Sequence, residues 1–188
     1  MTVVLASQSP RRRELLTLAG IPFVVRVAGV PEIHREGELA ADYVKRLARD
    51  KARGVEQTPG EIVLAADTTV VLDDRHGQET VLEKPADEAD ARRMMELLSG
   101  RTHRVLTGIC LCSQGVEVVD AAVTQVRFSK LNKREIEDYV SSGEPVDKAG
   151  GYAIQGLAAK FVESIEGCYF NVMGLPVSLV YRHLKRFQ

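Results

Sequence analysis

Apolar residues along the chain alternate between unbroken runs and helical spacing, and the changes divide it into strands and helices. Residues 3–6 and 62–66 are continuous apolar runs, the pattern of strands covered on both faces. Residues 23–27 predict a second strand. Residues 70–72 continue the run at 62–66, and Val81 and Leu82 form a returning strand after a loop containing Gly77. Residues 103–112 and 116–128 predict two long strands around a Ser113-Gln114-Gly115 turn, and residues 161–165 a further strand.

The helices are marked by caps as well as by period. Ser9 suits an N-cap and Pro10 the first helical position, with Leu15, Leu16 and Leu18 as the buried side and Gly20 and Pro22 as the stop. A helix over residues 39–53 carries Leu39, Ala40, Tyr43, Val44, Leu47 and Ala48 at helical spacing. Another starts near Asp87, buries Ala91, Met94, Met95, Leu97 and Leu98, and closes at Gly100. Residues 132–143 and 175–187 predict two more, the last with Pro176 in its first turn, while residues 144–156 are polar and rich in glycine. Mixed strands and helices without a repeat or linker predict an α/β or α+β fold: one unit over residues 1–188, with a central mixed β-sheet flanked by helices.

Composition narrows the function. Lys and Arg total 25 against 26 for Asp and Glu, a net charge of -1, which argues against a general nucleic-acid binder. The three cysteines form no C-x-x-C pair and predict reduced thiols. The apolar run at residues 3–6 is too short for a signal-peptide core, and no segment is long enough to span a bilayer, so the expected location is cytoplasmic with no membrane partner. No G-x-x-x-x-G-K-[ST] or G-x-G-x-x-G loop occurs, and the four histidines lack metal-ligand spacing.

Three features resist a purely structural account. Arg11, Arg12 and Arg13 open a helix, where cations oppose the dipole; with Ser7, Ser9 and free backbone N–H groups they form a candidate anion site using about two of the three arginines. Removing Arg11 or Arg12 is then expected to leave stability unchanged or improved. Asp67 interrupts an apolar run, where a carboxylate is costly unless paired or bound to metal. Lys51 extends the apolar stripe of its helix, where snorkelling to solvent is the commoner outcome and a polar cleft the other. Lys84, at a strand end, poses the same choice.

Taken in order, Leu5-Ala6-Ser7-Gln8-Ser9-Pro10-Arg11-Arg12-Arg13-Glu14-Leu15-Leu16, Arg46-Leu47-Ala48-Arg49-Asp50-Lys51-Ala52, Ala65-Ala66-Asp67-Thr68, Leu82-Glu83-Lys84-Pro85, Leu98-Ser99-Gly100-Arg101-Thr102-His103, Glu144-Pro145-Val146-Asp147-Lys148-Ala149-Gly150-Gly151-Tyr152-Ala153-Ile154-Gln155-Gly156 and Asn171-Val172-Met173-Gly174-Leu175-Pro176 resemble the Maf family of nucleoside triphosphate pyrophosphatases. The resemblance implies an elongated α/β fold with two lobes around a cleft, a divalent cation (Mg2+ or Mn2+), and often a homodimer. It implies hydrolysis of dTTP and UTP, ordinary or modified, to the monophosphate and pyrophosphate. Arg11, Arg12, Lys51 and Lys84 would hold the triphosphate, and Ser7 would add a contact. Asp67 would serve as general base or metal ligand, with Glu32 completing the carboxylate cluster. Arg11, Thr68 and Gln155 match the positions tied to the pyrimidine preference. The segment at residues 73–80 departs from the family by being several residues longer. The family is also linked to septum inhibition, so a nucleotide-sensing regulator without enzymatic activity is the rival reading.

Overall fold

The computed structural model describes residues 2–187. Seven strands form one mixed sheet in the order β2-β1-β3-β5-β6-β7, with β4 added to β3. The strands are β1 (Thr2–Leu5), β2 (Phe23–Val25), β3 (Glu61–Asp73), β4 (Glu79–Leu82), β5 (Thr102–Ser113), β6 (Val116–Phe128) and β7 (Val162–Glu166). The helices are α1 (Pro10–Leu18), α2 (Ala40–Arg53), α3 (Glu88–Leu98), α4 (Lys133–Val140), α5 (Tyr169–Met173) and α6 (Val177–Leu184). β1 pairs in parallel with β2 and β3, whereas β3–β4 and β6–β7 are antiparallel. No helix among the described residues is long and apolar enough to cross a membrane, and Cys110, Cys112 and Cys168 are free thiols.

The chain divides into two compact units. The first comprises Met1–Thr68, Thr107–Ala122 and Phe170–Gln188, and the second Thr69–Leu106 and Val123–Tyr169. In the first unit the period of two sorts the strand residues between two helical layers. Val3, Leu5, Ile62, Leu64, Ala66, Ile109 and Leu111 pack with Leu15 and Leu16 of α1 and with Leu175, Val180 and Leu184 at the C-terminal end. Val4, Ala6, Val63, Ala65 and Cys110 pack on the other face against Ala48, Ala52 and Val55. Small residues bring α2 close: a Cβ at Gly108 would lie 2.3 Å from the Val44 carbonyl oxygen.

In the second unit, α3 is capped by Asp87, whose carboxylate accepts from the Asp90 N–H, and α4 by a reciprocal Asn132–Glu135 box. Met94 and Met95 are buried in its core, as their spacing predicts. His103, Phe128 and Tyr152 meet edge to face in the same core, and Phe161 packs against Phe128 and Tyr139.

Several expectations change. Leu18 is 75% exposed, because it ends the helix, about 200° around the axis from Leu16. Ser9 holds the N-cap position of α1 without a side-chain capping bond; its N–H donates to Ser7 Oγ instead. The runs at 62–66 and 70–72 are one strand, as their continuity predicts, and Asp67 lies in its middle. The terminal helix starts only at Val177, after the short α5 that the apolar pattern does not reveal. Residues 144–156 contain two short 3-10 turns and a buried Tyr152-Ala153-Ile154 run.

Candidate active site

Strand parity decides what each polar residue of mid-β3 meets. Asp67 shares its face with Val63 and Ala65, the α2 side, while Thr68 shares the α1 side with Leu64 and Ala66. On α2, Lys51 follows Leu47 and Ala48 by one helical turn, which aims it at the same layer. Its ammonium lies 2.6 Å from Asp67 Oδ1 and 2.5 Å from Glu32 Oε1. With its side chain only 13% exposed, Lys51 does not snorkel, because two carboxylates supply inside the protein what water would supply outside. Burial pushes the Asp67 carboxyl above its ordinary range, against the opposing pull of Lys51 and Arg12.

On the other face, Arg12 is drawn inward because it precedes Leu15 and Leu16 by three and four residues. Its Nε donates to the Gly174 carbonyl at 2.8 Å, Nη1 to Ser7 Oγ at 2.9 Å and Nη2 to Thr68 Oγ1 at 3.1 Å. Burial lowers the Arg12 pKa, Asp67 and Glu32 counter it, and Arg11 adds to the lowering. The guanidinium therefore sits in the electrostatic field of both carboxylates. This corrects one expectation: Arg12 is not a solvated arginine whose loss leaves stability untouched. Removing it would take one donor each from the Gly174 carbonyl and from the Ser7 and Thr68 hydroxyls. Arg11 is half-buried and Arg13 exposed.

Thr107 was not apparent from sequence, although a threonine within Val105-Leu106-Thr107-Gly108-Ile109 is a polar break in an apolar run. Its hydroxyl lies 2.9 Å from Thr68 Oγ1 and donates to the Asn171 carbonyl at 3.0 Å. With that proton committed, Thr107 accepts from Thr68, and Thr68 accepts from Arg12, so all three side chains are oriented in one direction. Thr107→Val is expected to destabilise the protein by about 1–3 kcal/mol in urea unfolding, and Thr107→Ser by much less. Equal stability of the valine variant and the wild type would show that the chain of hydroxyls contributes nothing to the fold.

The structure thus brings Ser7, Arg12, Glu32, Lys51, Asp67 and Thr68 together within the first unit. Lys84 and Gln155 belong to the second, where both are exposed. No group of three or more His, Cys, Asp or Glu side chains converges as a metal site among the described residues. Glu32 and Asp67 nevertheless offer the hard oxygen donors that magnesium takes one or two at a time, alongside phosphate and water.

The model of the family described as Maf-like protein matches residues 2–187. A dTTP/UTP pyrophosphatase of Koribacter versatilis (strain Ellin345) is 52% identical, the alignment covering 99% of this chain and 94% of that protein. The protein of the same name from Anaeromyxobacter dehalogenans (strain 2CP-C) is 51% identical over 98% of this chain and 93% of its own. That from Clostridium perfringens (strain 13 / Type A) is 47% identical over 100% and 97%.

Proposed function

The chain belongs to the Maf-like protein family, and from that premise we propose that it hydrolyses dTTP and UTP to the nucleoside monophosphate and pyrophosphate. The observation that carries the reading is the Lys51 ammonium held by Glu32 and Asp67, with the buried Arg12 beside them, in a chain about half identical to dTTP/UTP pyrophosphatases. The rival reading, a regulator that only senses nucleotide, is not favoured by relatives of that name.

In this mechanism the triphosphate binds against cations that already have partners but keep spare donors. The bonds of Arg12 to Gly174, Ser7 and Thr68 use three of its five N–H groups, and those of Lys51 to Asp67 and Glu32 two of three. The remaining N–H groups, with those of Arg11, bind the phosphate oxygens. Asp67 takes a proton from water as the water oxygen bonds to the α-phosphorus. The bond from that phosphorus to the bridging α–β oxygen breaks, and the cations stabilise the charge gathering on the departing pyrophosphate. A raised carboxyl pKa suits Asp67 to this step, since a base titrating nearer neutrality accepts the proton more readily. Glu32 and Asp67 are the residues that would hold magnesium or manganese. When bound, such an ion would screen phosphate charge at the reacting centre. Gln155 reads the base: its amide offers an acceptor to the N3–H of uracil or thymine and a donor to a flanking carbonyl.

A panel of dTTP, UTP, CTP and GTP, assayed with magnesium and with manganese, tests the proposal. Turnover led by dTTP and UTP is expected, and turnover without added divalent cation and with chelator present would remove the metal from the scheme. In the same assay Arg11→Ala is expected to raise KM roughly tenfold while leaving the melting temperature unchanged, because its side chain is half-exposed at a helix start. A fall in melting temperature with unchanged KM would make Arg11 structural.

A further inference from the structure

The segment that carries Gln155 is held in a shape that leaves one side chain outward. Gly150, Gly151, Tyr152, Ala153 and Ile154 are buried and Gln155 is exposed. Tyr152 is fixed from below, its hydroxyl 2.7 Å from His103 Nε2. The C-terminal side of the segment meets one half-buried carboxylate, that of Glu144. Its Oε2 accepts from the Leu157 N–H at 2.8 Å, and its Oε1 faces the Ala158 N–H at 3.4 Å and the Tyr139 hydroxyl at 3.1 Å. The same Tyr139 hydroxyl lies 3.2 Å from the Gly151 carbonyl, so carboxylate and phenol bracket residues 151–158 from both sides.

Gly156 shows how closely this bracket is built. A Cβ added there would stand 2.5 Å from both Glu144 oxygens, well inside contact distance. The Gly156 backbone has φ -102° and ψ -152°, which any residue adopts, so close approach of the carboxylate, not backbone conformation, is what excludes a side chain. The carboxylate occupies the space beside Gln155's neighbour and ties down the next two N–H groups.

We propose that Glu144 is a positioning residue for base recognition, fixing residues 151–158 so that the Gln155 amide is presented in one orientation. The inference rests on the reading of Gln155 as the base-contacting residue. Glu144 touches no substrate; it acts by preorganisation, which matters because a hydrogen-bonding group discriminates between bases only where it cannot swing to suit the wrong one.

The test measures kcat/KM for dTTP, UTP, CTP and GTP in the wild type, Glu144→Ala, Gly156→Ala, Gln155→Ala and the Glu144→Ala/Gln155→Ala pair. Glu144→Ala is expected to reduce the preference for dTTP over CTP about tenfold, more than it reduces activity on CTP itself. Gly156→Ala should produce the same loss with Glu144 intact, by pushing the carboxylate away, and it keeps the test available where Glu144→Ala fails to fold. The double variant should discriminate no worse than Gln155→Ala alone, the non-additivity expected of residues that act as one. A uniform drop on all four nucleotides in both Glu144→Ala and Gly156→Ala, with the preference intact, overturns the inference and makes Glu144 a structural support. A wild type without preference, or Gln155→Ala that keeps it, overturns the base-reading role of Gln155 and the inference with it.

Discussion

Asp67→Asn is expected to lower kcat by roughly 10²–10⁴-fold while leaving nucleotide binding within a few-fold of wild type, because the amide keeps the shape of the carboxylate but cannot accept the proton. The same substitution should not unfold the protein. Burial raises the Asp67 pKa above its unfolded value near 3.8, so the folded state holds the proton more tightly than the unfolded state does. The sign follows: ionised Asp67 opposes folding, the cost is absent below the unfolded pKa, grows as pH rises through the folded one, and is constant above it. Asp67→Asn removes that cost but also takes one of two carboxylates from Lys51, which keeps Glu32 at 2.5 Å, so the variant should stay folded at neutral pH while losing catalysis. The acidic limb of the kcat/KM profile should also lie above that of an ordinary carboxylate. Near-normal kcat in the variant would remove Asp67 from the role of base.

Lys51→Met is expected to have the second large effect, on stability as well as turnover. The methionine fills the same space on α2 but leaves the buried Asp67 carboxylate without its 2.6 Å partner. Removing one member of a buried pair costs roughly 3 kcal/mol or more. Asp67 should respond by taking up a proton, which moves the acidic limb of residual activity to still higher pH. The pairing with Asp67→Asn makes the test specific. The double variant has neither the buried charge nor the need for its partner, and should recover much of the stability that Lys51→Met loses. A double variant whose losses simply add would show that Lys51 and Asp67 do not act together, contrary to their geometry.

How far the sequence disclosed this arrangement differs from residue to residue. The central strands were legible because burial on both faces leaves a continuous apolar run, and helix α2 because Tyr43, Val44, Leu47 and Ala48 repeat at the helical period. Asp67 stood out as the carboxylate in such a run. Its partner was harder to see, since a lysine at the end of an apolar stripe has the same local pattern whether it reaches solvent or a buried acid. Strand parity, which places Asp67 towards α2 and Thr68 towards α1, becomes informative only once it is known which helix covers which face. Arg12 was legible as an anion-site candidate but not as a buried structural donor, because its acceptor, the Gly174 carbonyl, lies 162 residues away. Short 3-10 turns and α5 escaped for a simpler reason: elements of three to five residues are too brief to establish a period.

Product analysis of dTTP hydrolysis in ¹⁸O-labelled water reports which phosphorus the water attacks. Attack at the α-phosphorus, with Asp67 drawing the proton from water, predicts thymidine monophosphate carrying one labelled oxygen and unlabelled pyrophosphate. Thymidine diphosphate with inorganic phosphate, label in the pyrophosphate, or no turnover with magnesium or manganese supplied would contradict it.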